Sequence, residues 1–289
     1  MSTVIVALAK FEQDYIEEWV IYHLAMGFDR IYLYDNEDVP TYHNILKRFG
    51  NKVIITHAKG NDYPVGIQYM ALNHFMDNYV SQDNIKYVLH SDIDEFVCLK
   101  KHPNIQAFIN EYFQPKIAGI SICWRYFGSS GLIKKTDEPV VSRFRRCALK
   151  GDKLMKTLFD TNLVTGFVCC HNVSPKEGYH IIATNGVITT EAENLEMDTS
   201  VIQMNHYYCK TIPEFFHQKS RGRADVPGGL KGENFYRDRN NLPLDINLIN
   251  IYLERNNNDV EDLTAFNFFK GIQYNIMVSQ QNPQVPTSS

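Results

Sequence analysis

Short apolar runs rich in β-branched residues alternate with stretches of helical period through the first hundred residues. That alternation restricts the chain to a layered α/β architecture. Residues 3–8 (TVIVAL), 30–34 (RIYLY), 53–57 (VIITH) and 86–91 (KYVLHS) read as strands. The first is so uniformly apolar that it predicts a strand covered on both faces. Between strands, Ile16, Trp19, Val20, His23 and Leu24 recur at helical spacing, after an Asp14/Glu17 pair at capping-box separation and before Gly27 as a stop. Residues 66–79 repeat the pattern through Ile67, Met70, Ala71, His74 and Phe75. Further helices are predicted over 105–112, 213–223, 245–254 and 259–277, a strand over 117–124, and strands with loops over 128–205. The Gly-, Pro- and Asn-rich segment 225–245 reads as a long loop, and the polar tail from Ser279 as disordered. The expected organisation is one unit over 1–278, with a sheet core over 1–205, a helical and lid region over 206–278, and a tail over 279–289.

Charge and composition narrow the function classes. Lys and Arg number 29 against 33 Asp and Glu, so no strong basic field argues for duplex nucleic acid. No apolar run approaches the roughly 18 residues of a membrane span. The first residues lack a basic region and read as a buried strand, so the expected location is cytoplasmic. The six cysteines form no CxxC pair, which argues against a zinc ribbon. They are expected as free thiols in a reducing compartment, although their even number leaves disulfides open.

In open α/β sheets, ligands bind beyond the carboxyl ends of the strands. Three polar groups sit there: Lys10 and Glu12, Asp35 and Asn36, and Asp92 and Asp94. The third group, in YVLHSDIDEF (87–96), is the sharpest feature of the chain. Two carboxylates spaced by one residue share a face in extended backbone, or converge through a turn. They repel unless a cation lies between them. Mn²⁺ and Mg²⁺ suit such oxygen ligands and keep positions open for substrate phosphates. A divalent ion on a diphosphate is therefore the functional reading. An isolated DxD is more often a turn or cap, and the order of the flanking elements is what shifts the balance here.

At this point the residues resemble a known group, the GT-A glycosyltransferases and most closely glycosyltransferase family 92. The opening VALAKFEQDYIEEWVIYHLAMGF carries Lys10, Glu12, Glu18, Trp19, Tyr22 and His23 in the family's pattern, with Phe11 where Asn is usual. IYLYDNEDVP, GIQYMALNHF, HSDIDEF, WRYFGSSG and NHYYCKTIPEFFHQKSRGRA follow in the same order over residues 3–223.

The resemblance implies a Rossmann-like mixed sheet with helices on both faces and a C-terminal helical lobe. It also implies inverting transfer of a sugar from a nucleotide-sugar, by default a UDP-sugar, to a glycan or glycoprotein acceptor, with Mn²⁺ or Mg²⁺ as cofactor. On that reading Asp92, Asp94 and His206 hold the metal, with Asp94 the main catalytic ligand. Lys10, Glu12, Asp35, Asn36, Gln68, Asp92, Lys210, Lys219 and Arg223 bind the donor, joined by Arg221 in a basic cluster in which Lys219 and Arg223 are four apart. Trp124, Phe127 and His171 are acceptor contacts, and residues 222–232 a lid. The general base is left open among Asp137, Glu138, Glu191 and Asp225. A sugar-phosphate nucleotidyltransferase is disfavoured because ALAKFEQ has no glycine. A non-catalytic nucleotide- or carbohydrate-binding protein on the same fold is the remaining alternative.

Overall fold

The computed structural model describes residues 2–60, 65–189, 193, 197–225 and 244–281. Its main sheet contains β1 (Ser2–Ala9), β2 (Arg30–Asp35), β3 (Val53–His57), β4 (Ile85–His90), β5 (Glu95–Leu99), β6 (Ile117–Tyr126), β8 (Met155–Asp160), β11 (His180–Ile182) and β12 (Ile202–His206). The strand order is β3-β2-β1-β4-β8-β6-β12-β5, with β11 on β6. β1 to β4 run parallel, β8 is antiparallel to β4 and β6, and β12 lies parallel to β6 but antiparallel to β5. Two small ribbons pair β9 (Val164–Phe167) with β10 (Val173–Pro175), and β7 (Arg146–Cys147) with β13 (Val260–Glu261). The expected mixed α/β sheet is thus the observed one.

Helices cover both faces because β1 is apolar on both. Ile5, Ala7 and Ala9 join a core with α1 (Ile16–Ala25), α2 (Tyr42–Leu46) and α4 (Ile105–Tyr112). Val4 and Val6 join a second core with Ile67, Ala71, Leu72 and Phe75 of α3 (Ile67–Asn78). Two further helices, α5 (Val140–Arg143) and α6 (Ile212–Lys219), precede the C-terminal pair α7 (Leu244–Arg255) and α8 (Thr264–Gln281). Burying a large apolar side chain contributes about 1.5–3 kcal/mol, so these two layers account for most of the driving force that orders the sheet.

Some local expectations fail. Tyr15 caps α1 with no side-chain hydrogen bond, and Asp14 instead pairs with Lys135. The capping box forms at α6, where the Thr211 side chain accepts from the N3 backbone and Glu214 accepts from the Thr211 backbone. α6 ends at Lys219, so Lys219 and Arg223 do not share a helix face. α8 runs to Gln281, three residues into the segment expected to be disordered; 282–289, most of the 225–245 loop and Glu191 lie outside the described residues. Gly27 does stop α1, at φ +104°. All six cysteines are free, four of them buried.

The motif Glu18-Trp19…Tyr22-His23 has a positional reason. Trp19 Nε1 donates to the Glu95 carbonyl at 2.7 Å, and Tyr22 Oη donates to the Val97 carbonyl at 2.8 Å. The Val97 amide donates to His23 Nε2 at 3.2 Å. Burial pulls the His23 pKa down to about 3, so the ring stays neutral and can accept. Glu18 accepts from the Val140 and Val141 amides and caps α5. One helix thereby pins β5, the strand that leaves the acidic turn.

α6 is held by a second buried cluster. Arg143 makes two parallel bonds to Glu214, at 3.0 and 2.8 Å, and Tyr15 Oη donates to the same carboxylate at 2.9 Å. Burial alone would raise the Glu214 pKa, but Arg143, Thr211 and Tyr15 together hold it near 2. A depressed carboxylate pKa stabilises the fold above the unfolded value, and that stability is lost as pH falls through the folded value. Wild type is therefore expected to exceed Glu214→Gln by about 3 kcal/mol at pH 7. The gap should close as pH falls from about 4.5 toward 2, where the unfolded carboxylate takes up its proton before the folded one does. Urea unfolding of both proteins across that range checks it; a gap independent of pH would show that charge is not what holds α6.

Candidate active site

The acidic motif sits in a turn closed by the Glu95 amide donating to the Asp92 carbonyl at 3.0 Å. Asp92 and Asp94 therefore do not share a face as they would in extended backbone. They reach different partners.

Asp92 reaches Lys156 on β8, whose Nζ donates to Asp92 Oδ2 at 3.0 Å and lies 3.5 Å from Glu95 Oε2. Gln68 Nε2 at the start of α3 approaches Asp92 Oδ1 at 3.3 Å. Lys156 is wholly buried. Burial opposes its charge, yet Asp92 and Glu95 raise its pKa above the ordinary lysine range. Burial also opposes ionisation of both carboxylates. Lys156 outweighs it at Asp92, which is 31% exposed, but not at Glu95, which is fully enclosed and whose pKa is well above normal. The result is a Lys156–Asp92 ion pair beside a Glu95 whose burial favours its neutral form.

Asp94 turns toward β12 and α6. Its Oδ2 lies 3.6 Å from His206 Nε2 and accepts from Gln218 Nε2 at 2.9 Å. The register of β12 is the cause: His206 lies opposite Glu95 on one side and Tyr126 on the other, and the Tyr207 amide donates to the Asp94 carbonyl at 2.8 Å. Burial works to raise the Asp94 pKa, but His206, Lys210 and Lys219 hold it well below the carboxylate range. Burial lowers the His206 pKa despite Asp94, which favours a neutral imidazole able to ligate a metal. Two donors 3.6 Å apart suit ligands that each stand about 2.1 Å from one ion. Among the described residues, no group of three or more His, Cys, Asp or Glu side chains is arranged to hold a metal. Asp92 Oδ2 is paired with Lys156, so the two donors that stand together are Asp94 Oδ2 and His206 Nε2.

The basic cluster closes over Asp94. Arg221 reaches back to the β1 loop, donating to the Lys10 carbonyl at 2.8 Å and pairing with Glu12, which also receives Gln218 Nε2 at 3.3 Å. Lys219 Nζ lies 3.5 Å from the centroid of Tyr208, and burial lowers its pKa to about 7. Lys210 Nζ lies over Tyr15 at 4.6 Å. Four buried atoms around Asp94 lack a hydrogen-bond partner: Glu12 Oε2, His206 Nδ1, Lys210 Nζ and Gln218 Oε1. Buried polar atoms seldom go unpaired, so this grouping marks a place where a polar ligand is needed.

Other expected residues take different parts. Asp35 Oδ1 and Oδ2 accept from the amides of Glu37, Thr41 and Tyr42, and Asn36 Nδ2 donates to the Ala58 and Gly60 carbonyls. Both brace the loops beyond β2 and β3. The Lys10 carbonyl, rather than its ammonium, makes the inward contact. Arg223 and Asp225 pair with one another near the surface, and Arg221 is the arginine that enters the site. Asp137 and Glu138 are exposed. Of the lid segment 222–232, only 222–225 is described. Phe127 packs in the core against Tyr207 at 4.8 Å. Trp124 does reach the site, 4.3 Å from His206 and 5.1 Å from His171 between ring centroids. His171 Nδ1 faces the Met155 carbonyl at 2.9 Å, and burial takes its pKa down to about 4.

The reading from sequence passed over Lys156 and Gln218, while Tyr126 stood in it beside Trp124 and Phe127 as an aromatic platform for a sugar ring. Lys156 carried a signal: it is the one cation inside MKTLFD, an otherwise strand-like run. Gln218 carried none.

The chain resembles known proteins at several levels. A glycosyltransferase family 92 protein of Oryza sativa subsp. japonica is 20% identical over 232 residues, which is 77% of this chain and 36% of the relative. The chain therefore spans about a third of the length of that curated relative. Among solved structures, S. aureus TarS matches 99% of this chain and 44% of its own at 14% identity and a TM-score of 0.38. TarS 1–349 in complex with UDP matches 56% of this chain and 48% of its own at 16% identity and a TM-score of 0.33. The Mn/GDP form of core-mannan synthase A from Aspergillus fumigatus matches 46% and 44% at 6% identity and a TM-score of 0.27. At such scores the sheet order itself remains the better guide to the fold. No helix among the described residues is long and apolar enough to cross a membrane. The model of glycosyltransferase family 92 matches residues 3–208, a span that holds the sheet, the acidic turn and His206, and the chain belongs to that family.

Proposed function

We propose that the protein transfers a sugar, with inversion, from a nucleoside-diphosphate sugar to a hydroxyl of a glycan acceptor. The observation that carries this reading is the buried cluster at the end of β4 and β12. There Asp94 Oδ2 and His206 Nε2 stand 3.6 Å apart beneath Lys210, Lys219 and Arg221, with the Asp94 pKa held low and burial lowering that of His206. Cations and unpartnered polar atoms around a carboxylate and imidazole suit a diphosphate held with a divalent ion.

Asp94 and His206 would hold Mn²⁺ or Mg²⁺. Sites of this kind take one or two carboxylates and leave the remaining positions to phosphate and water. Bound there, the ion supplies neutralisation of the charge that develops on the leaving diphosphate. The chain's own cations do related work. Lys219 and Arg221 lie where they can bind phosphate oxygens, and Lys156 keeps Asp92 ionised as an acceptor for ribose or sugar hydroxyls. UDP is the first base to test because it is the default implied by the family resemblance.

The test is a thermal titration of the purified chain with UDP, GDP and ADP, each with and without Mn²⁺. A ligand that binds only the native state raises stability by RT ln(1 + [L]/Kd), about 2.7 kcal/mol at 100-fold excess over Kd. One nucleotide is expected to raise the melting temperature by several degrees with Mn²⁺ and much less without it. No response to any of the three, with or without metal, would overturn the donor-binding reading.

A further inference from the structure

A cavity of about 540 Å³ opens beside the Asp94–His206 cluster between the end of β6, the 148–154 segment and the C-terminal end of α7. Its volume lies in the range of roughly 300–1,000 Å³ typical of small-ligand sites. Two of its walls are shared with the cluster. Tyr126 lines it and stacks on the His206 ring, with centroids 5.2 Å apart. Arg255 lines it and lies 5.4 Å from the Tyr126 centroid and 4.7 Å from that of Tyr208, the ring that Lys219 also covers.

The cavity is built into the fold rather than left between loose loops. The Ala148 amide donates to the Tyr126 carbonyl at 2.9 Å, the Asp152 amide to the Trp124 carbonyl at 2.7 Å, and the Trp124 amide to the Leu154 carbonyl at 2.8 Å. These bonds lay the segment along the edge of β6. On the opposite side, a Cβ at Gly128 would stand 2.4 Å from the Asn257 carbonyl oxygen. Only glycine lets the end of α7 approach that closely.

The lining chemistry differs from that around Asp94. Lys150, Lys153 and Arg255 are balanced by Asp152, Glu254 and Asp259. A lining with balanced charge has no preference for a diphosphate, whereas carboxylates and a guanidinium together suit neighbouring hydroxyls that both donate and accept. Asp152 Oδ1 accepts from the Leu154 amide at 2.9 Å, and among the described residues Oδ2 takes no hydrogen bond. Nearby, Trp124 Nε1 is buried with no partner.

We propose that this cavity is the acceptor subsite and takes a neutral sugar of a glycan, with Asp152 and Arg255 binding its hydroxyls. The proposal rests on the transferase reading above and adds to it the place and class of the acceptor. It also replaces Phe127, which is core, with residues from two other parts of the chain.

The experiment uses the full chain and four free sugars as probes: galactose, mannose, N-acetylglucosamine and rhamnose. Saturation-transfer difference NMR reads their binding with and without saturating UDP and Mn²⁺. At least one sugar is expected to give a signal that UDP does not displace. Asp152→Asn and Arg255→Gln are each expected to lower that signal at least fivefold while leaving the nucleotide-induced melting shift unchanged. A wild type that binds none of the four while still responding to nucleotide overturns the subsite and leaves the donor reading standing. Displacement by UDP, or binding that survives both substitutions, overturns it as well.

Discussion

Asp94→Asn is expected to lower sugar transfer about 10²–10³-fold while leaving the protein folded. The substitution keeps the shape of the side chain and the bond from Gln218 Nε2, so packing at the turn is preserved. It removes the negative charge that His206, Lys210 and Lys219 are arranged around. Loss of one preorganised electrostatic contact at a reacting centre commonly costs about 2.7–4 kcal/mol of transition-state stabilisation. The same substitution is expected to weaken the Mn²⁺-dependent part of the nucleotide melting shift and to spare the metal-independent part. Initial rates with a radiolabelled donor, alongside the thermal titration, check both. Transfer at the parental rate would mean that Asp94 neither holds the metal nor stabilises the leaving group.

Lys156→Met is expected to act mainly on stability, lowering it by about 3 kcal/mol at pH 7. Removing one member of a buried ion pair leaves the other without compensation, which costs about 3–5 kcal/mol when both are enclosed. Asp92 is 31% exposed and recovers some hydration, so the lower end applies. In a chain of this size that loss lowers the melting temperature by on the order of 10 °C. The sign of its pH dependence follows from the pair. Lys156 keeps Asp92 ionised, with its pKa below the carboxylate range, so the pair stabilises above the unfolded value and less below it. The difference between wild type and variant should therefore shrink as pH falls from about 5 toward 3. Calorimetry of both proteins between pH 3 and 7 checks this. A difference that is constant with pH would mean that the lysine acts through packing of its stem rather than through its charge.

The legible part of the site was the part local in sequence. The acidic motif, the strand before it and His206 after VIQM stand out because strand period and a polar break are visible within ten residues. The basic residues after Thr211 were legible as a group but not individually. Helix α6 ends at Lys219, which turns Arg221 inward and leaves Arg223 to pair with Asp225. Asp35 and Asn36 show the limit from the other side. Their place at a strand end is what a ligand contact requires, and it is equally what a loop brace requires. What the tertiary structure adds is the brace: three amides bound to the Asp35 carboxylate.

By itself the sequence determined the fold class, strands β1 to β4 with helices α1 and α3 between them, and the family; α2 and β5 were not legible in it. All three follow from residue spacing along the chain and from motif order. Tertiary structure alone decided which partner each carboxylate meets. Asp92 faces a lysine 64 residues later in the chain, at 3.0 Å, and Asp94 a glutamine 124 residues later, at 2.9 Å. Those pairings depend on β8 lying antiparallel beside β4, and on β12 inserting between β5 and β6. Strand pairing across such separations is set by the burial of whole faces against one another, a property of the assembled sheet that no local pattern of residues encodes.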